Sequence, residues 1–266
     1  MRRTDDTRMP SAVLAYDLET IAPTMPDGSF PPWPTHRIVA AGFARASCVD
    51  GNWRFDIDAH VVGGDIDEAA LVREAERRIG SAEVITGYNS RGFDSLVLRL
   101  AAQRLRLWEM PAIARHAAMP RFDGAHADLA DLYAAFGRKV GLAEICDAIG
   151  IPVKTTTSGG DVAALWEAGE TERIRIYVME DAAATLCVFF AWLAGRAANE
   201  ALVARPIAAL ARHIEAEPAL ASLQPFTDAA LIRWARPRAM VADIAAALDR
   251  LTERLRREEE ERAFAA

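Results

Sequence analysis

Two carboxylates stand one residue apart behind an apolar run near the start of the chain, in AVLAYDLET at residues 12–20. Because residues i and i+2 of a strand project from the same face, Asp17 and Glu19 are expected to point the same way. Two close carboxylates raise each other's pKa, and a bound Mg²⁺ or Mn²⁺ relieves that repulsion. The pattern predicts part of a divalent-metal site, although acids are also common at solvated strand ends.

Two further motifs carry acids and a tyrosine that such a site could use. In GYNSRGFD, residues 87–94, Asp94 opens a predicted helix just after a short strand, where it could also serve only as an N-cap. In YVMED, Tyr177 and Asp181 stand four apart on a predicted helix and therefore share a face. Each motif alone is also explained by helix capping or packing, so the interpretation depends on their combination.

The elements predicted around these motifs form an α/β core. Residues 12–18 have the continuous apolar run of a strand, and 38–62 form a hairpin around the turn DGN. Helical spacing follows in 65–80, from 93 onward and from 171 onward. A strand, a hairpin and then alternating helices and strands indicate a mixed central sheet flanked by helices.

Composition bounds the class of protein. The chain has 266 residues, of which 52% are hydrophobic and 26% charged, with a formal net charge of −7. This charge argues against a protein that coats duplex nucleic acid, but not against an enzyme that holds a few nucleotides and uses metal for positive charge. No signal peptide or membrane-length apolar run is apparent, so we expect a cytoplasmic protein without membrane contact and with reduced cysteines.

The pattern changes after about residue 205, where four prolines are expected to punctuate short Ala-rich helices: Pro206, Pro218, Pro225 and Pro237. We therefore expect a flexible N-terminus at 1–11, a main domain at 12–205 and a helical C-terminal extension at 206–266. The extension ends in an amphipathic helix with three leucines on one stripe: Leu248, Leu251 and Leu255. This stripe is a candidate for packing within the chain, or for contact with a second copy or another protein.

In combination, the motifs resemble those of the DEDD 3′–5′ exonucleases. The order is Asp-x-Glu, then Asn-x-x-x-Phe-Asp at Asn89, Phe93 and Asp94, then Tyr-x-x-x-Asp. More narrowly, residues 12–195 resemble the predicted exonucleases related to the proofreading domain of family B DNA polymerases, which also have segments comparable to HADLADL and LAEICDAIGIPVK. The resemblance implies a ribonuclease H-like fold with the first motif on the first strand.

The resemblance also implies a reaction, namely hydrolysis from the 3′ end of single-stranded DNA or RNA, with DNA favoured, by two Mg²⁺ or Mn²⁺ ions. Asp17 would bridge both ions. Glu19 and Asp181 would hold the ion that binds the attacking water, and Asp94 would position the other. Tyr177 would orient the water. Five more residues are expected beside the terminal nucleotides: Leu18, Thr20, Asn89, Phe93 and Lys154.

Three alternatives stay open at this point. The segment HADLAD offers His126 and Asp131 as a third motif with the His-x-x-x-x-Asp spacing of the other DEDD subfamily, although it follows Asp94 by only 32 residues. The chain could instead be a catalytically silent relative that binds nucleic acid or protein, but it retains all four acids and the tyrosine. A two-carboxylate glycoside hydrolase would not need the companion motifs.

Overall fold

The computed structural model describes residues 9–121, 123–134, 137–152 and 161–265. Its strands form one five-stranded sheet: β1 Ala12–Ile21, β2 Arg37–Val49, β3 Asn52–Val61, β4 Val84–Gly87 and β5 His126–Asp128. The order across the sheet is β3-β2-β1-β4-β5. Pairing is antiparallel between β1, β2 and β3, and parallel between β1, β4 and β5. The predicted α/β class with a mixed central sheet is confirmed.

The helices of the described residues follow in chain order: α1 Glu68–Gly80, α2 Asp94–Arg104, α3 Pro111–Ala118, α4 Leu129–Ala134, α5 Leu142–Ile149, α6 Val162–Glu167, α7 Thr171–Ala197, α8 Ala201–Ala216, α9 Gln224–Thr227 and α10 Ala230–Ala265. Short 3₁₀ helices lie at Trp33–Thr35 and Pro218–Leu223. The predicted first helix is confirmed, with Asp67 as its N-cap accepting a hydrogen bond from the Ala70 backbone N–H at 2.7 Å.

The hairpin predicted across residues 38–62 is also confirmed by its turn. Asp50 and Gly51 join β2 to β3 and both have positive φ, at 51° and 78°. Two successive left-handed residues give the tight turn whose twist matches that of the flanking antiparallel strands. The long β2–β3 ribbon that results forms one edge of the sheet.

The side chains of β1 alternate between two packed layers. Three of them pack with helices α1 to α3 on one face of the sheet: Leu14, Tyr16 and Leu18. Two others pack with α7 and α8 on the opposite face: Val13 and Ala15. Since alternation continues along the strand, Asp17 and Glu19 project toward α7.

The strand that carries these two acids is longer than the sequence predicts. We expected β1 to end near residue 18, but it runs to Ile21, so Asp17 and Glu19 lie within the strand and not at its end. The physical reason is that β2 stays paired with β1 through Ile21. Strand β4, in contrast, pairs with β1 only as far as Ala15, which leaves the other edge of the acidic segment open.

Helix α7 is the central helix of the core. Its length and hydropathy would suffice to cross a membrane, but 83% of its most apolar stretch is buried inside the protein. It packs across β1, β2 and β3 and against α8. The Cys187 thiol and the Phe190 ring on this helix are fully buried. Its apolar composition is therefore that of a helix surrounded by protein on most sides.

The expected proline punctuation after residue 205 is wrong at two positions. Pro206 lies inside α8 and Pro237 lies inside α10, so both helices continue where breaks were predicted. The cost of a helical proline is offset at Pro206 by burial, because Leu202 and Leu210 on either side belong to the same apolar core as α7. The expected division between residues 205 and 206 thus falls within a buried helix.

From Val241 onward, α10 exposes a row of large apolar side chains at spacings of three and four: Val241, Ile244, Leu248, Leu251 and Leu255. We call this row the α10 stripe. Its members are between 42% and 64% exposed. The stripe predicted from the three leucines is therefore present, and it extends one heptad further toward the N-terminus of the helix.

Candidate active site

Three carboxylates from β1 and α7 converge at the open edge of β1. One oxygen from each of Asp17, Glu19 and Asp181 lies within 4.8 Å of the others. Asp181 is buried, and the two acids of β1 are half-buried. Like charges held this close repel, and a set of carboxylate oxygens is the ligand type that Mg²⁺ and Mn²⁺ prefer. The donor set fits a divalent cation.

A glycine on β2 permits this convergence. Gly42 lies directly opposite Asp17 in the β1–β2 pairing. A Cβ atom at Gly42 would lie 2.2 Å from the carbonyl oxygen of Val178 on α7. The backbone of α7 therefore approaches the sheet more closely than a side chain at position 42 would allow. This close approach brings Tyr177 and Asp181 to the acids of β1.

Asp94 lies beside this cluster and not within it. It is the first residue of α2, 5% exposed, and its Oδ1 accepts a hydrogen bond from the Leu18 backbone N–H at 3.2 Å. The position before it belongs to Phe93, so Asp94 is not the N-cap that the sequence left as an alternative. Burial raises the pKa of Asp94 to about 7, with a smaller contribution from Asp128. A nearby cation would favour its ionised form.

The Tyr177 hydroxyl reaches the acidic cluster from α7. The side chain is 2% exposed and hydrogen-bonds to Asp181. Burial raises the pKa of Tyr177 well above its ordinary value, and the charges of Asp181, Glu19 and Asp17 raise it further. The phenol therefore stays protonated at any physiological pH and acts as a hydrogen-bond donor and not as a base.

The rival third motif lies elsewhere. His126 is buried, its Nε2 lies 2.9 Å from the Ser90 hydroxyl, and its ring centroid lies 4.1 Å from that of His116 with the ring planes inclined by 45°. Asp131 accepts a hydrogen bond from Arg121 at 3.0 Å. Neither His126 nor Asp131 belongs to the described lining of the acidic cavity, whereas Tyr177 and Asp181 both line it.

A cavity of about 370 Å³ opens over the acids. This volume lies within the range of small-ligand sites and suits about one nucleotide. All five motif residues line this cavity. Three of the five expected substrate contacts line it as well, namely Leu18, Asn89 and Phe93. Thr20 does not line it, because its hydroxyl lies 2.7 Å from His36 Nδ1. Lys154 falls outside the described residues.

Two cavity features were missed from the sequence. Phe30, in the Pro-rich loop after β1, is 76% exposed at the cavity mouth, with its ring 6.1 Å from that of Phe93. Lys139 Nζ donates to Asn89 Oδ1 at 2.9 Å and lies 3.6 Å from Asp131, so it places a cation next to a residue that lines the cavity. The sequence contained one indication of Lys139, namely the rarity of lysine, because the chain has only one other lysine, Lys154.

Asp128 is the third residue that the sequence did not reveal. Its buried carboxylate accepts hydrogen bonds from the backbone N–H groups of Asn89, Arg91 and Ala130 at 2.9 to 3.0 Å. Asn89 is thereby held at a φ of 58°, in the left-handed region. Asp128 therefore fixes the loop that carries one of the expected substrate contacts, without itself lining the cavity.

The chain belongs to the family of predicted 3′–5′ exonucleases related to the exonuclease domain of PolB, whose sequence model matches residues 28–229. The match includes Asp94, Tyr177 and Asp181 and extends through α8, whereas Asp17 and Glu19 precede it. The resemblance stated from the motifs is confirmed, and the ribonuclease H-like fold is the one expected of this family.

Solved structures provide a second comparison. The chain is similar to the family B DNA polymerase from the hyperthermophilic archaeon Pyrobaculum calidifontis, with 20% sequence identity and a TM-score of 0.48. The similarity covers 76% of this chain and 26% of the polymerase, so the chain spans about a quarter of that protein's length. Among curated protein sequences, none matches the chain.

Proposed function

We propose that the chain is a metal-dependent 3′–5′ exonuclease of the DEDD type with tyrosine in its third motif. In this proposal it removes nucleotides from the 3′ ends of single-stranded nucleic acid and uses two divalent cations, Mg²⁺ or Mn²⁺. The observation that carries it is the convergence of Asp17, Glu19 and Asp181 within 4.8 Å. Family membership supports the reaction class, and the polymerase-related motif set favours DNA over RNA.

In the proposed mechanism the acids hold the cations and the neighbouring residues position water and substrate. Asp17, Glu19 and Asp181 would bind one cation through carboxylate oxygens, and Asp94 would help to hold the second. When bound, the cations lower the pKa of the attacking water and stabilise the charge that develops on the phosphate and the leaving 3′ oxygen. The protonated Tyr177 hydroxyl is suited to donate a hydrogen bond that orients the water.

The cavity also offers the groups that a terminal nucleotide needs. The exposed ring of Phe30 and the ring of Phe93 provide apolar faces for a base. Lys139, beside Asn89, provides a cation for a phosphate oxygen that the surrounding acids would otherwise repel.

The test is digestion of 5′-labelled single-stranded DNA and RNA in the presence of Mg²⁺, Mn²⁺ or EDTA. We expect a ladder that shortens from the 3′ end only with metal, and faster digestion of DNA. Asp17→Asn should lower the rate by at least about a hundredfold. Asp27→Asn, an exposed acid in the Pro-rich loop, is the matched control and should digest normally. A metal-independent ladder, or full activity of Asp17→Asn, would refute the proposal.

A further inference from the structure

A second cavity lies at the opposite end of the β2–β3 ribbon from the acids. It has a volume of about 680 Å³ and is enclosed by the start of β3, α8 and α10. Four arginines and two aromatic rings line it: Arg54, Arg205, Arg212, Arg250, Trp53 and Phe55. We call this cavity the basic groove.

The basic groove has an excess of positive charge in an acidic protein. Its four guanidinium groups face two lining carboxylates, Asp50 and Asp243, within a chain whose formal net charge is −7. Among the residues that the structure describes, Asp243 pairs with Arg205 at 2.8 Å. Within the described part of the chain, the other three arginines make no ion pair, so their charges are available to an anionic ligand.

Aromatic rings form one wall of the groove. Trp53 and Phe55 project from the same face of β3, with ring centroids 6.2 Å apart and planes inclined by 20°. The His213 ring follows at 5.7 Å from Phe55. Arginines beside a row of rings are the combination by which proteins hold single-stranded nucleic acid, with the charges on the phosphates and the rings against the bases.

The position of the groove separates it from the acidic cavity. Along β3, Trp53 lies six residues before Ala59, and Ala59 is level with Asp17 across two strand pairings. Strand rise and strand spacing place the groove roughly 20–25 Å from Asp17. Both sites lie on the sheet face that packs against α7. The groove is therefore too far away to hold the nucleotide being cleaved.

We infer that the basic groove binds the backbone of single-stranded nucleic acid at a distance from the reacting end. This inference rests on the proposed function, since it assigns the groove to the 5′ portion of a strand whose 3′ end lies at the acids. A strand that is too short to span both sites would make no groove contact while its 3′ end is at the acids. The groove would then increase the affinity for long strands without changing the chemical step.

The experiment uses the full chain in EDTA, where cleavage is blocked, and measures fluorescence anisotropy with labelled oligonucleotides of about 4 and about 20 nucleotides. The test variant is Arg212→Ala/Arg250→Ala. The matched control is Arg73→Ala/Arg254→Ala, which removes two exposed arginines outside the groove. Trp53 is left unchanged, because its ring packs on Phe190 in the core and its loss would disturb the fold.

We expect the test variant to bind the long strand about tenfold more weakly, with a salt slope smaller by about 1.4, and the control to match wild type. Digestion of the short oligonucleotide with Mn²⁺ should proceed at the same rate in all three proteins. Unchanged affinity and salt slope in the test variant would overturn the inference. Equal competition by polyglutamate would also overturn it, because the groove would then be a site for acidic protein.

The two proposals can fail separately. Digestion of the short oligonucleotide with Mn²⁺ tests the acidic cavity in the same variants. If wild type digests no nucleic acid, the proposed function fails, yet a loss of long-strand binding in the test variant would still support the groove. If digestion is normal and long-strand binding is unchanged by the substitutions, the groove inference alone is overturned.

Discussion

The close approach of α7 to the sheet at Gly42 can be tested by adding one methyl group. In Gly42→Ala, the new Cβ would lie 2.2 Å from the Val178 carbonyl oxygen, whereas ordinary contact begins near 3.4 Å. The backbone of α7 must therefore retreat by roughly 1 Å. Overpacking of this kind costs about 1–3 kcal/mol of the free energy of unfolding. Since Val178 adjoins Tyr177, the retreat separates α7 from Asp17 and Glu19.

A displacement of about 1 Å in a catalytic group can lower a rate about a hundredfold, so we expect a loss of that order in digestion of single-stranded DNA with Mn²⁺. The folded fraction is checked by urea denaturation under the same conditions. Gly195→Ala is the matched control, because it lies in the same helix and its Cβ would meet nothing within 4 Å. It should keep wild-type activity and gain about 0.5–1 kcal/mol of stability. Wild-type rate and stability in Gly42→Ala would refute the role assigned to that glycine.

Three other predictions follow from the same structure. Tyr177→Phe should slow cleavage more than His126→Ala does at equal folded fraction, and the reverse order would return the third motif to HADLAD. Burial lowers the pKa of His116 to about 4 and that of His126 to about 2. In the unfolded chain a histidine has its ordinary pKa of about 6.5, so below that pH the unfolded state binds more protons than the folded state does. The histidine contribution to stability should therefore be complete above pH 6.5 and fall on acidification, by roughly 1.4 kcal/mol per pH unit for each histidine. The raised pKa of Asp94 gives a slope of opposite sign between about pH 4 and 7 and offsets part of this fall, equally in both proteins compared. Denaturant titrations should show this slope reduced in His126→Ala, and an equal slope would contradict the assignment. The α10 stripe has the three-four spacing of a coiled-coil seam, which a second copy of the same helix would match, so light scattering should detect a dimer. Leu248→Glu/Leu251→Glu should be monomeric, and a monomeric wild type at high micromolar concentration would contradict self-association.

Much of the candidate site could be predicted because its chemistry depends on local spacing. Asp17 and Glu19 are two residues apart on a strand, and Tyr177 and Asp181 are four apart on a helix, so each pair shares a face wherever the element lies. The hairpin was predicted from its turn residues for the same reason. The placement of these elements relative to one another came from the family resemblance and not from spacing.

What the sequence did not reveal depends on contacts between distant segments. Gly42 has no local signature, because its importance arises from Val178, which lies on another element. Thr20 was expected beside the substrate, but its hydroxyl is hydrogen-bonded to the ring of His36, sixteen residues later. Lys139 and Asp128 act through Asn89 in a loop that precedes both. The same applies to Pro206, which is tolerated in α8 because the surrounding helix is buried in the core.

The central claim is that Asp17, Glu19 and Asp181 together hold a divalent cation, and the most direct measurement is anomalous diffraction from crystals of the protein grown with Mn²⁺. We expect a manganese peak within coordination distance of all three carboxylates, and we expect this peak to disappear in Asp17→Asn. A crystal at saturating Mn²⁺ with no peak among these acids, or with an undiminished peak in Asp17→Asn, would contradict it.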